Sequence, residues 1–242
     1  MCIRVPYGLL LRWATVCVFA LCVTNATNTF AESWGRFRGP NGTGIAENTG
    51  TLPVTWSNEK NLVWKTPVAR GSSCPILVKD LIVFTGYSGY GEKLDDPGER
   101  ESLKLHVIAI SRNDGTPRWT PTLDPSPEEQ EATPRVADHG YASPTPCTDG
   151  KKIYAAFGPS GVVCCSLDGK ELWRTSIGTG VAGFGAAASP IVYGDLVYIN
   201  AAIESQALVA IDKHTGEISW KVEDINKAWT TPTIVTPKSG TP

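Results

Sequence analysis

Several groups of residues in this 242-residue chain have types and spacings that could do chemistry. Gly178-Thr179-Gly180-Val181-Ala182-Gly183 matches GxGxxG, a loop that offers backbone N–H groups to a pyrophosphate when a strand precedes it and a helix follows. Here Ala186-Ala187-Ala188-Ser189-Pro190 leads into a strand, so the helix is missing and the motif reads as a flexible connection. His106, His139 and His214 could serve as bases or metal ligands, yet they are scattered without ligand spacing and read as surface or turn residues. No neighbouring motif supports a Ser/His/Asp arrangement, which only geometry can establish. Adjacent Cys164-Cys165 could close a strained vicinal disulfide; the simpler reading is two small strand residues facing opposite sides. Whether Cys74 and Cys147 pair stays open. Two acidic stretches could lend oxygens to Ca²⁺: residues 92–101, with Asp95-Asp96, and residues 124–138, with Glu128-Glu129 and Glu131. Neither has the ordered spacing of a calcium loop, and both read as solvated insertions. They are the first places to look for a ligand or partner. The sequence assigns no catalytic, cofactor-binding or metal-binding residue.

The elements that must carry these residues are constrained by composition. Gly (24) and Pro (18) are abundant, which disfavours a helical bundle, since both break helices. A net charge of −2 excludes an electrostatic nucleic-acid binder, and 41% apolar residues exclude a disordered chain. Residues 1–31 contain no acid, two early arginines (Arg4 and Arg12) and an apolar run from Trp13 to Val23. That run is too short for a bilayer core of ~30 Å, so the segment is predicted to be a secretory signal cleaved after Ala31. Leu21 before Cys22 argues against a lipid anchor. Beyond residue 31 stand 20 basic and 24 acidic residues, so the expected exported protein is mildly acidic. Its four cysteines are too few for a disulfide scaffold and include no CxxC pair. Asn25-Ala26-Thr27 and Asn41-Gly42-Thr43 fit the glycosylation pattern, which matters only on a eukaryotic secretory path.

An internal repeat organises the remainder. Cys74-Pro75-Ile76-Leu77-Val78-Lys79-Asp80-Leu81-Ile82-Val83-Phe84 matches Ser189-Pro190-Ile191-Val192-Tyr193-Gly194-Asp195-Leu196-Val197-Tyr198-Ile199 in polarity. A third copy is aligned from Ser143-Pro144 with one extra residue before its turn, and a fourth begins at Thr231-Pro232. Each copy closes on a turn and a tryptophan, most clearly at Ala210-Ile211-Asp212-Lys213-His214-Thr215-Gly216-Glu217-Ile218-Ser219-Trp220. Trp64, Trp119, Trp173 and Trp220 recur at this position. Four short strands per repeat, with Gly turns that admit positive φ, are the pattern of a β-propeller. The tryptophans are expected in the seams between blades.

The Ala-x-Asp-x-x-Thr-Gly-x-x-x-Trp pattern at 210–220 resembles the tryptophan-docking motif of the pyrroloquinoline-quinone (PQQ)-like repeat propellers. The lead-in Trp34-Gly35-Arg36-Phe37-Arg38-Gly39-Pro40-Asn41-Gly42-Thr43-Gly44, followed by Leu52-Pro53 and Trp56, is similar to that of exported members. The resemblance covers roughly residues 34–236 and implies an all-β propeller of four-stranded antiparallel blades, with three complete blades in an open ring. The expected organisation is signal 1–31, lead-in and closing strand 32–68, blade 1 at 69–122, an acidic Pro-rich insertion at 123–140, blade 2 at 141–178, blade 3 at 179–224 and the start of a fourth at 225–242. Three blades cannot close a ring, so a fragment or a completing partner chain is expected. The leading expectation is a periplasmic or secreted non-catalytic scaffold with a protein partner, no nucleic acid, no membrane span after cleavage and no cofactor. The alternative is part of a PQQ- and calcium-dependent quinoprotein dehydrogenase oxidising alcohols or sugars. The vicinal disulfide of such enzymes is not carried over, because Cys164-Cys165 lies on a third strand rather than near a first.

Overall fold

The computed structural model describes residues 34–46, 50–93, 95–131 and 140–235. The predicted signal at 1–31, His139, and parts of the acidic insertion and of the fourth repeat lie outside them. Among the described residues no helix is long and apolar enough to cross a membrane.

Three antiparallel sheets follow one another along the chain, each a meander in sequence order. The first contains β1 (Ile76–Val78), β2 (Leu81–Ser88), β3 (Lys104–Ser111) and β4 (Pro117–Trp119). A short β5 (Thr122–Leu123) also pairs with β3, so this sheet has five strands rather than four. A single helical turn, α1 (Pro127–Gln130), then precedes the second sheet of β6 (Cys147–Thr148), β7 (Lys152–Ala156), β8 (Val162–Ser166) and β9 (Glu171–Thr175). The third holds β10 (Ile191–Tyr193), β11 (Leu196–Ala201), β12 (Ala207–Asp212) and β13 (Ile218–Val222). The architecture is all-β: successive propeller blades in an open arrangement.

Two hydrophobic layers join the blades, because consecutive residues of a strand face opposite ways. In β7, Ile153 and Ala155 enter the layer shared with the first sheet, while Tyr154 and Ala156 enter the layer shared with the third. The middle sheet is therefore apolar on both faces, which explains the unbroken run Val162-Val163-Cys164-Cys165. Cys165 packs into the first layer and Cys164 into the second, and both are free thiols. The opposite-faces reading holds. Cys74 and Cys147 are also free, one exposed and the other buried.

Three of the four repeat tryptophans, Trp64, Trp119 and Trp173, lie in the seams, whereas Trp220, on the last described blade, is exposed. The Trp119 indole N–H donates to the Leu167 carbonyl at 2.9 Å, and Trp173 donates to the Lys213 carbonyl at 3.2 Å. Trp64 makes the same bond to the Arg112 carbonyl at 3.2 Å. Each ring lies over a turn glycine of the following blade: a Cβ on Gly115, Gly169 or Gly216 would come within 2.7 Å of Trp64, Trp119 or Trp173. A register shift recurs at the same place in every blade, opposite the tryptophan, at Ala109/Ile110, Cys164/Cys165 and Ala210/Ile211. This bulge bends the outer strand and re-aims its side chain. Thr66 and Thr175, two residues beyond their tryptophans, add hydroxyl bonds to the carbonyls of Gly115 and Gly216.

The alignment of the second blade is corrected. Cys147 pairs with Tyr154 as Ile191 pairs with Tyr198, so Thr145-Pro146 is the equivalent of Ser189-Pro190 and no residue is inserted. Ser143-Pro144 lies two residues upstream. The reason is a ladder of hydrogen bonds running between blades. The Cys74 N–H donates to Thr145 Oγ1 at 3.0 Å, the Thr145 N–H to Ser189 Oγ at 2.9 Å, and the Ser189 N–H to Thr231 Oγ1 at 3.2 Å. Each of the four residues precedes a proline, which holds it extended.

Candidate functional site

The lead-in segment is positioned by the free edges of the innermost strands. Leu77 N–H donates to the Trp34 carbonyl and Thr148 N–H to the Gly35 carbonyl, both at 2.9 Å. The segment thus spans β1 and β6 and delivers Arg36, Phe37 and Arg38 to the inner edge of the blades. There they border a cleft of about 540 Å³, together with Ser72, Ser143 and Trp229, with residues 230–233 along one wall. An adjoining hollow of about 360 Å³ shares Ser143 and Trp229 and adds Phe184. Phe184 and Trp229 meet edge to face at 6.3 Å, and the Trp229 indole N–H is held by the Gly185 carbonyl at 2.9 Å. Thr230 is tied down by Asn200, whose amide donates to its carbonyl at 3.0 Å.

The chemistry of this lining is one-sided. Two arginines line the cleft, and among the described residues none of the lining is acidic. Arg38 donates to the Thr43 carbonyl at 3.3 Å, whereas the buried Arg36 Nε has no hydrogen-bond partner among the described residues. Calcium, by contrast, needs several oxygen donors, chiefly carboxylates, and the described lining has no carboxylate to give. The free Cys164 and Cys165 thiols lie in the two seams, buried by their neighbours, which pushes each thiol up to about 12. A PQQ–Ca²⁺ pair therefore does not fit the side chains of this cleft.

The groups singled out by sequence are not brought together. His106 is buried in the first sheet, where Ser88 Oγ and Thr122 Oγ1 meet its two ring nitrogens at 2.7 and 3.2 Å, and burial lowers its pKa. It is a satisfied core histidine, not the surface residue expected. His214 is exposed on a blade-3 turn, 3.4 Å from Asp195. In the GxGxxG stretch no helix follows; Gly180 N–H donates to the Glu204 carbonyl, and a Cβ on Gly178 or Gly180 would collide with the carbonyl of Glu204 or Ile203 at 2.2 Å. These glycines permit close approach of two chain segments. Residues 95 and 96 are exposed, as expected for a solvated insertion.

One pair of groups was not anticipated. Glu129, in the insertion, and Glu204, between β11 and β12, are both buried and line one small cavity. A signal existed for the first: Ser126-Pro127-Glu128-Glu129 has the Ser-x-x-Glu form of a capping box with Pro at the first helical position. Ser126 Oγ does accept from the Glu129 N–H at 3.3 Å. The Ser126 N–H goes to Ser160 Oγ instead of to the glutamate, which leaves that carboxyl free to turn inward. Nothing local marks Glu204.

A family profile described as outer membrane protein assembly factor BamB, of PQQ-like repeats, matches residues 103–239. No curated protein matches the chain. Among solved structures, quinohemoprotein alcohol dehydrogenase from Comamonas testosteroni is similar at 16% identity and a TM-score of 0.50, over 79% of this chain and 27% of that one. Quinohemoprotein alcohol dehydrogenase ADHIIG from Pseudomonas putida HK5 follows at 18% identity and 0.49, over 79% and 26%. BamB from Moraxella catarrhalis gives 17% and 0.35, over 59% and 37%. The chain spans about a quarter of the length of these dehydrogenases, and the first likeness bears on fold alone. With the repeat, the docked tryptophans and more than half of the chain matched by the profile, this protein belongs to the PQQ-like β-propeller family.

Proposed function

We propose that the chain is an exported, non-catalytic propeller scaffold whose inner cleft holds an acidic segment of a partner protein. The observation that carries this reading is the lining: Arg36, Arg38, Phe37 and Trp229, with no acidic side chain among the described residues. Guanidinium groups bind carboxylates in bidentate fashion, and aromatic rings anchor peptide side chains beside them. The family description, an assembly factor for outer membrane proteins, is in keeping with a protein partner. Export rests on residues 1–31, and the mass of the protein recovered outside the cytoplasm of a bacterial host should correspond to a chain starting at Glu32.

The test is fluorescence anisotropy with a labelled peptide of Asp, Glu and Phe. Binding should weaken with salt and drop about tenfold or more in Arg38→Ala and in Trp229→Ala. Absence of binding, or binding by both variants as tight as that of the wild type, overturns the reading. The dehydrogenase alternative is tested on the same chain supplied with PQQ and Ca²⁺ in a dye-linked alcohol oxidation assay. Turnover there would replace the scaffold reading.

A further inference from the structure

The Glu129–Glu204 cavity lies apart from the inner cleft and draws on two blades and an insertion. Glu129 is the buried residue of α1, in the segment between the first and second sheets; Glu204 sits on the β11–β12 turn of the third. Between them runs the β7–β8 turn. The point a Cβ would take on Gly158 lies 2.9 Å from the Ala186 methyl, 3.2 Å from Glu129 Oε2 and 3.6 Å from Glu204 Oε1. Both carboxyl groups thus border one spot, walled by apolar groups and backbone. About 10 Å³ is free there to the centre of a water-sized atom, which leaves no room for a hydrated ion, and no three ligating side chains gather among the described residues.

Nor does a basic side chain offset the pair among the described residues. On the β7–β8 turn, Ser160 hydrogen-bonds Glu129 through its backbone and its hydroxyl, while Glu129 Oε2 has no partner. Tyr141, ahead of β6, feels the Glu129 charge. Arg174 on β9 commits its guanidinium to the Ser160 and Asp124 carbonyls at 2.9 Å each. On the insertion itself, Asp124 is paired with Lys104 at 2.5 Å, and Glu128 lines a separate hollow. The 180–186 stretch carries no titratable side chain. Two carboxylates enclosed at 5% and 7% exposure cannot both be ionised without a large penalty. Burial, reinforced for Glu129 by the neighbouring Glu204, raises them to about 8 and about 7. A proton taken from solvent and held by the pair cancels one of the two charges.

The two sides of the cavity are unequally anchored. Glu204 belongs to a turn between packed strands, where the Ser205 N–H donates to the Ala201 carbonyl at 2.8 Å and the Gly180 N–H to the Glu204 carbonyl at 2.9 Å. The four-residue α1 is fastened by its serine cap and by the Ser126 N–H on Ser160 Oγ. When the proton returns to solvent, two like charges remain in a dry cavity, and the weaker side yields. We propose that Glu129 and Glu204 form a proton-held latch, which keeps the 124–131 insertion on the blades while the pair is protonated and releases it when the pair ionises. The latch stands independently of the function proposed for the cleft.

Hydrogen exchange of the full chain, read by mass spectrometry on peptides covering 124–131, tests this, with exchange times scaled for the chemical rate at each pH. The released segment takes up protons at the ordinary value of 4.5 and the latched one near 8. Protection of the insertion should therefore fall about tenfold per pH unit for one proton between pH 5.5 and 7.5, and level off above about 8, while β11 stays protected. Glu204→Gln removes the like charge and keeps the shape, so the fall should level off at lower pH. The double variant Glu129→Gln/Glu204→Gln should show no slope. Protection of 124–131 that is the same at pH 5.5 and 7.5 in the wild type overturns the latch. So does an equal loss in β11, or a slope that survives in the double variant.

Discussion

Gly169 and Gly150 allow the docking of tryptophan on the next blade to be separated from the conformational demands of a turn. Both belong to the second blade and have nearly the same backbone, φ +87 and φ +82. An alanine at either must take the left-handed conformation, which costs roughly 1–2 kcal/mol. Around Gly150 nothing lies within 4 Å of the new methyl group. At Gly169 it would stand 2.7 Å from the Cγ and Cδ2 atoms of Trp119, whose ring is also held by its bond to the Leu167 carbonyl. Overpacking of that kind adds about 1–3 kcal/mol. The expected losses of stability are therefore about 1–2 kcal/mol for Gly150→Ala and roughly 2–5 kcal/mol for Gly169→Ala. Equilibrium urea unfolding followed by far-ultraviolet circular dichroism reads both. In a Trp119→Ala background, where only the Cβ at 3.0 Å stays, the Gly169→Ala cost should fall toward that of Gly150→Ala, leaving a coupling of about 1–3 kcal/mol between positions 119 and 169. Equal costs in the wild type, or an undiminished Gly169→Ala cost without the indole, would refute the docking argument.

Four further outcomes are expected. Trp173→Ala should lose about 2–4 kcal/mol, near the lower part of the range for buried aromatic truncation, while Trp220→Ala, 39% exposed, should lose under about 1 kcal/mol by the same urea assay. Thr145→Val removes the acceptor of the Cys74 N–H and should cost about 1–3 kcal/mol, with faster amide exchange at residue 74. In native protein a maleimide should label Cys74 well before Cys147, Cys164 or Cys165, as mapped by peptide mass spectrometry, since of these four only Cys74 is exposed. Glu129 and Glu204 bind protons more tightly folded than unfolded, where the ordinary value is 4.5. Their contribution is complete below about pH 4.5 and is lost as pH rises toward 8. His106, lowered by burial, acts in the opposite sense below pH 6.5. The slope is therefore read between pH 6.5 and 8 by thermal melts, and a flat profile there, unchanged in Glu129→Gln, would contradict the expectation.

Much of the architecture could be read without coordinates because a blade is specified by short-range features. The Asp-x-x-Thr-Gly turn at 212–216 is closed by Asp212 accepting from the His214 and Thr215 N–H groups, both at 2.8 Å, contacts made within four residues. Apolar strands and a closing tryptophan recur with each turn, so the repeat announces itself. The register of the second blade did not, because Ser143-Pro144-Thr145-Pro146 offers two Ser/Thr-Pro starts and only the inter-blade ladder chooses Thr145. The family resemblance raised a PQQ- and calcium-dependent alternative without placing a site, and the cleft's arginines are assembled only by Leu77 and Thr148 gripping the lead-in.

By itself, then, the amino-acid sequence determined the β-propeller class, the order of the blades and the role of their tryptophans. Tertiary structure alone decided which side of β8 each cysteine faces, that His106 is enclosed rather than exposed, and that Glu129 and Glu204 line one cavity. The difference is one of range. Turn chemistry and strand alternation act between near neighbours in the chain, whereas a carboxyl pair across a seam exists only once separate sheets have packed face to face.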